Sequence, residues 1–210
     1  MRFTIGFVKQ VWAGLLVLLA LTVILGVIYP AAVWGVGRIS SGSAEGSPVR
    51  DSNGCVVGSR WVGVDPQVAA GAPDPFFHNR VTGSVADEDP FAPGDPATAL
   101  PTNQGPSSEV LASFIAERRT AIAEREGVHP DQVPVDAVTG SGSGIDPHIS
   151  PAYAAIQVPR VAEANGLGDE RVRQLVDEHT EGRQLGVLGA ERVNVLELNL
   201  ALGLTAPSCG

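Results

Sequence analysis

The sequence predicts an α+β protein, with a single N-terminal transmembrane helix followed by one loop-rich extracytoplasmic domain. Three observations predict it. No charged residue stands between Lys9 and Arg38, and Val11–Tyr29 is almost wholly apolar. From Asp65 to Pro106, prolines and glycines recur every few residues. After Pro106, apolar residues return at helical spacing between capping signals.

The apolar run comes first, because it sets the compartment of the rest. A helix rises about 1.5 Å per residue and the hydrocarbon core is about 30 Å thick, so roughly 20 apolar residues span it. Residues 11–34 are therefore predicted as the transmembrane helix. A cleaved signal peptide has an apolar core of about 7–15 residues and a small-x-small cleavage site. The run here is longer and leads into Tyr29-Pro30-Ala31-Ala32-Val33-Trp34. Trp12 at one end, with Tyr29 and Trp34 at the other, suits the interfaces of a retained helix. Arg2 and Lys9 precede the helix and Arg38 follows it, which places residues 1–10 in the cytoplasm and the bulk of the chain outside. The result is a single-pass protein of the cell membrane, in contact with lipid. Gly14, Leu18 and Thr22 share one helix face, and the small residues Gly14, Thr22 and Gly26 permit close packing of a partner helix.

Formal net charge is −9 over 210 residues. Arg2 and Lys9 lie before the helix, so twelve basic residues face all 23 acidic ones after it. Such a surface holds neither nucleic acid nor anionic headgroups by charge; its acidity maintains solubility. Cys55 and Cys209 are the two cysteines, and outside the cytoplasm such a pair can form a disulfide. Cys209 belongs to a tail, 206–210, expected to fray, so the pairing stays open. Neither cysteine has the neighbours of a zinc or thiol-catalytic site.

The elements follow in order. Residues 35–53 are Gly/Ser-rich and read as a juxtamembrane linker, with the domain over 54–205. Asn53-Gly54 marks a turn, and Cys55–Gly58 with Trp61–Val64 reads as a hairpin-like β segment. The Pro/Gly-rich stretch that follows contains the cluster Asp74-Pro75-Phe76-Phe77-His78-Asn79-Arg80. Ser107 or Ser108 caps a helix carrying Val110, Leu111, Phe114, Ile115 and Ile122, and Gly127 ends it. A break over Val133–Thr139 leads to the loop Gly140–Ile149. Ser150-Pro151 opens a helix that Pro159 kinks or restarts and Asn165-Gly166 closes. Asp169 caps another helix, ending near His179. Val193–Leu202 shows both strand alternation and a helical face, and leans to helix.

The glycine run fits no phosphate loop, for G-x-x-x-x-G-K-[ST] needs a lysine and Lys9 is the chain's one lysine. It fails the dinucleotide fingerprint at Ile145 and the nucleophile elbow at Ser141 and Ser143. What remains is a candidate binding loop of Gly140, Ser141, Gly142, Ser143, Gly144, Asp146 and His148, with Gln157 on the next helix, where the plainer expectation is a polar residue facing solvent or another subunit. Ser141 or Ser143 with Asp146 and His148 has the residue types of a hydrolase triad, which geometry must decide. The four histidines lack metal-ligand spacing. The residues alone point to a binding or assembly subunit without catalytic residues or a resident cofactor or metal. Its rivals are a membrane-anchored extracytoplasmic serine hydrolase and a cell-surface binding module.

Val138-Thr139-Gly140-Ser141-Gly142-Ser143-Gly144-Ile145-Asp146-Pro147-His148-Ile149-Ser150-Pro151 closely resembles the signature loop of the C subunit of the bacterial potassium-importing P-type ATPase, the Kdp system. Gln157-Val158-Pro159-Arg160, His179-Thr180 and Val193–Asn199 follow at that family's spacing. Gly26-Val27-Ile28-Tyr29-Pro30, Phe76-Phe77-His78-Asn79-Arg80 and Thr102–Pro106 match its upstream marks. Trp61-Val62-Gly63-Val64 departs from the family's Leu-Ile-Gly-Gln, and Asp87–Thr98 is rearranged. The resemblance implies an accessory subunit of an ATP-driven K⁺ importer, without a phosphorylation motif of its own. Its partners would be a P-type ATPase subunit and a channel-like subunit, with ATP and K⁺ handled by the complex. Phe76, Phe77 and Arg80 join Gly14, Thr22 and Gly26 as subunit-interface candidates. Nucleotide binding by the glycine loop and Gln157 would require a cytoplasmic domain, against the charge bias.

Overall fold

The N-terminal unit, residues 1–47, is helical from Arg2 to Ala44. Helix α1 (Arg2–Val23) enters a π-turn, Ile24–Ile28, and continues as α2 (Tyr29–Gly37), a 3₁₀ turn (Arg38–Ser40) and the short α3 (Ser41–Ala44). Ile5–Ala44 is one helix long and apolar enough to cross a membrane. The computed structural model describes residues 2–69, 71–80, 90–91, 97 and 103–205. The expected tail 206–210 with Cys209, and most of Asp87–Thr98, lie outside them.

The stretch read as a linker over 35–53 is instead helical to Ala44 and enters a strand at Pro48. Gly35 and Gly37 each cost about 1 kcal/mol in a helix. Arg38 offsets part of that by lying 5.3 Å over the Trp34 ring and pairing with Glu45 at 2.8 Å.

The second unit, residues 48–210, opens with a hairpin of β1 (Pro48–Arg50) and β2 (Val56–Ser59), turned at Gly54 with φ 83°. The sequence had β2 pairing downstream with Trp61–Val64. It pairs upstream with β1, and Trp61–Val64 keeps a single bridge, Ser59 to Val62. Gly63 supplies the reason. Its N–H donates to the Ile145 carbonyl at 2.8 Å, and a Cβ there would collide with the Asp146 carbonyl. The glycine loop, not a strand, takes this backbone.

Helix α4 (Glu109–Glu126) is capped by Ser108, whose Oγ accepts from the Leu111 N–H, and closed by Gly127 at φ 65°. A 3₁₀ turn (Pro130–Gln132) and α5 (Val135–Val138) occupy the expected break. Strands β3 (His148–Ile149), β4 (Thr180–Glu181) and β5 (Arg192–Asn194) form an antiparallel sheet with β5 central. Helix α6 (Pro151–Asn165) starts at the predicted Ser150 cap and stops at Gly166. Pro159 neither breaks nor restarts it, because Val158, Val161 and Ala162 beside it are all buried in the core. Such packing outweighs the roughly 3 kcal/mol that an interior proline costs. Gly168, rather than Asp169, is the N-cap of α7 (Asp169–Glu178). The ambiguous C-terminal segment resolves into both readings: Asn194 ends β5 and caps α8 (Val195–Ala201) by accepting from the Glu197 N–H.

One core joins these elements. Tyr153, Ala154, Val158 and Val161 of α6 meet Val172 and Val176 of α7, Val193 of β5, Leu198 of α8, and Phe77 from the irregular segment.

Candidate functional site

Segment 74–80 has no regular secondary structure, yet Phe77, His78 and Asn79 are buried. Buried backbone groups require partners. Side chains of the surrounding helices provide them. The Asn199 amide brackets Phe77, with Oδ1 accepting from its N–H at 2.8 Å and Nδ2 donating to its carbonyl at 3.0 Å. The Gln157 amide brackets His78 likewise, at 2.8 and 3.3 Å. Asn165 donates to the Pro75 carbonyl, and Arg160 donates to the carbonyls of Asp74 and Phe76. Asp65 accepts from the Asn79 N–H at 2.7 Å. The Gln157 and Asn199 amides thus each act as a strand of one residue.

The same segment carries a chain of alternating charge. The His78 ring nitrogens face Asp65 at 2.9 Å and Asp74 at 2.7 Å. Arg160 pairs with Asp74 at 2.9 Å and Glu126 at 2.8 Å. Arg125 pairs with Glu126 and donates to the Tyr153 hydroxyl at 3.0 Å. His78, Arg160 and Arg125 balance Asp65, Asp74 and Glu126 once His78 is protonated on both nitrogens. Burial opposes that charge, but the hydrogen bonds that the ring donates to Asp65 and Asp74 outweigh it and raise the His78 pKa. Burial also opposes the Asp74 charge, and His78 with Arg160 overcomes it, lowering that pKa. Tyr153 is pushed up to about 12 by burial.

Arg80 links this segment to the glycine loop. Its guanidinium donates to Asp146 at 3.2 Å and to the carbonyls of Thr139 and Gly140. Asp146 also accepts from the His148 N–H and meets its Nδ1 at 3.1 Å. Burial raises the Asp146 pKa, but His148 and then Arg80 outweigh it and hold it below the usual carboxylate value. The Ser141 hydroxyl accepts from the Gly144 N–H at 2.8 Å and meets Ser143 at 3.3 Å. Neither serine hydrogen-bonds His148, so Ser141, Ser143, Asp146 and His148 do not stand as a triad. Gly142 and Ser143 remain exposed, while Ser141 and Gly144 are buried.

The structure therefore separates residues that the sequence grouped. Gln157, expected to face outward, is fully buried with its amide engaged by His78 and Arg160. Phe77 is fully buried in the core. Phe76 lines an apolar groove of about 450 Å³, together with Val56, Val62, Val64, Val195 and Leu200. In the anchor, no Cβ at Gly14 or Gly26 would meet anything, and Thr22 donates its hydroxyl to the Leu18 carbonyl. The sequence offers no role for Asp65 or Glu126, and shows Asn165 only as a helix end and Asn199 only within the family-like run Val193–Asn199. Cys55 is disulfide-bonded.

Residues 11–203 match the family described as K⁺-transporting ATPase, c chain (KdpC). The chain is similar to the potassium-transporting ATPase KdpC subunit of Kineococcus radiotolerans, at 46% identity over 96% of this chain and 97% of the relative. It is 41% identical to that of Mycobacterium tuberculosis, over 92% and 97% of the two chains. To that of Streptomyces coelicolor it is 41% identical, over 94% of each. The family match over residues 11–203 and the relatives' similarity along nearly the whole length lead to one conclusion: the chain belongs to the KdpC family, the c chain of K⁺-transporting ATPases.

Proposed function

We propose that this Kdp potassium-transporting ATPase subunit is the non-catalytic assembly subunit of its complex. It stabilises a P-type ATPase subunit and a channel-like subunit from the extracytoplasmic side, with its N-terminus in the cytoplasm. One observation carries the reading. Around the family's signature residues, the charged groups are turned inward and spent on one another, while apolar side chains are turned outward. Val56, Trp61 and Val64 are each more than half exposed, and Val56 and Val64 also line the groove. Apolar surface around a groove suits a protein partner. The chain carries no D-K-T-G run for phosphorylation and no TVGYG filter.

The test is a mild-detergent pull-down of the tagged full-length chain from potassium-starved cells, with mass spectrometry of the recovered proteins. The ATPase and channel-like subunits are expected in near-equal amounts. Val64→Asp places an unpaired charge at the rim and is expected to lower their recovery about tenfold. Recovery of the wild-type chain alone from cells that contain the other subunits would refute the reading.

A further inference from the structure

A bilayer core holds no water to satisfy a free backbone carbonyl, so each unpaired one costs several kcal/mol unless another group donates to it. The anchor creates such carbonyls in one place. Pro30 has no N–H, and a proline ring displaces the carbonyl one turn before it. The helix accommodates this with the π-turn Ile24–Ile28, in which the Tyr29 N–H reaches back to the Ile24 carbonyl. One residue further on, that register directs the Leu25 carbonyl to Pro30. The α-register resumed over Tyr29–Gly37 directs the Gly26 carbonyl to the same proline. Two adjacent acceptors thus address one missing donor.

Among the described residues, no neighbouring side chain replaces it. From Val11 to Ile28 the only hydroxyl is Thr22, and it donates to the Leu18 carbonyl, a turn away in the other direction. The Trp12 indole lies more than three helical turns off. Access is open as well, since a Cβ built on Gly26 would have nothing within 4 Å.

We propose that a membrane-spanning helix of a partner subunit crosses the anchor at Leu25–Gly26, and that a side-chain donor on that helix hydrogen-bonds the Leu25 or Gly26 carbonyl. The inference rests on the assembly reading above and adds the place and chemistry of contact. The donor is a neutral hydroxyl or amide, the kind that bridges helices in hydrocarbon. Small residues permit the approach, but the missing proline donor is what calls for a partner.

The test has two arms, both on the full chain in its complex. A photo-reactive phenylalanine at Leu25 is expected to cross-link another subunit, within one helical turn of a Ser, Thr, Asn or Gln. The same probe at Val23, about 200° around the helix, is expected to label that subunit far less. Pro30→Ala returns the N–H, and is expected to lower partner retention in mild detergent about threefold to tenfold. Cross-links from Leu25 to lipid alone, or Pro30→Ala retaining partners as well as wild type, would overturn the inference and leave the assembly reading standing. A wild-type chain that retains no other subunit would overturn both.

Discussion

Two irregular segments of the domain, 74–80 and 183–189, are close in length and opposite in construction. The first has the backbone of Phe77 and His78 bracketed by amides from α6 and α8, and its Phe77 side chain enters the core. The second closes on itself, through a bridge between Gln184 and Leu188, and leaves Leu185 90% exposed. Leu185 also takes the left-handed conformation, at φ 53°. Absence of secondary structure therefore says little about how firmly a segment is held. What decides it is where the backbone hydrogen bonds go, and here distant side chains mark the rigid segment.

Gln157→Ala should widen that contrast most. It orphans a buried N–H and a buried carbonyl of His78 and removes an acceptor from Arg160. An orphaned buried group costs about 1–3 kcal/mol, so the expected loss is about 3–4 kcal/mol. Urea unfolding of the full chain would show it as a lower midpoint with an unchanged slope. A loss below about 1 kcal/mol would mean that segment 74–80 is not held in the way described.

His78 gives the next effect, and its sign follows from linkage. Its folded pKa is raised, so its contribution is complete below the ordinary value of 6.5 and is lost as pH rises through the folded pKa. Asp74 and Asp146 have lowered values, so their contributions are present above the ordinary 3.8 and are lost as pH falls through their folded pKa values. Thermal unfolding should therefore weaken by a few degrees from pH 6.5 into the alkaline range. His78→Gln should start lower and lose that alkaline slope. An equal slope in both proteins would assign the titration to another group.

How much of this was legible beforehand depends on the range of the interaction. Ser108, Gly127, Ser150-Pro151 and Gly166 announce helix ends because caps act within one turn, and the apolar anchor is legible because its solvent is uniform. The polarity of Gln157 points outward, whereas its spacing points inward: it lies four residues after Tyr153 and four before Val161, inside the buried stripe of α6. A polar residue within an apolar stripe announces a buried hydrogen bond, but its partner, 79 residues upstream, cannot be read from spacing. Gly63 failed for the same reason. Its requirement is set by Asp146, which a strand pattern over Trp61–Val64 does not contain. The anchor Pro30 was legible as a proline, while the π-turn beside it was not, because register is a property of the folded backbone.

The smallest effect tests the opposite side of the comparison. A left-handed conformation costs a residue such as leucine about 1–2 kcal/mol, whereas asparagine adopts it more readily. Leu185 recovers little of that cost by burial, since it is almost fully exposed. Leu185→Asn should therefore stabilise the chain by about 0.5 kcal/mol, where Gln157→Ala destabilises it several-fold more. Thermal melts of the two variants side by side would measure both ends of the contrast. A destabilised Leu185→Asn would mean that the turn uses the leucine for packing after all, and that the two segments differ less in construction than their hydrogen bonds indicate.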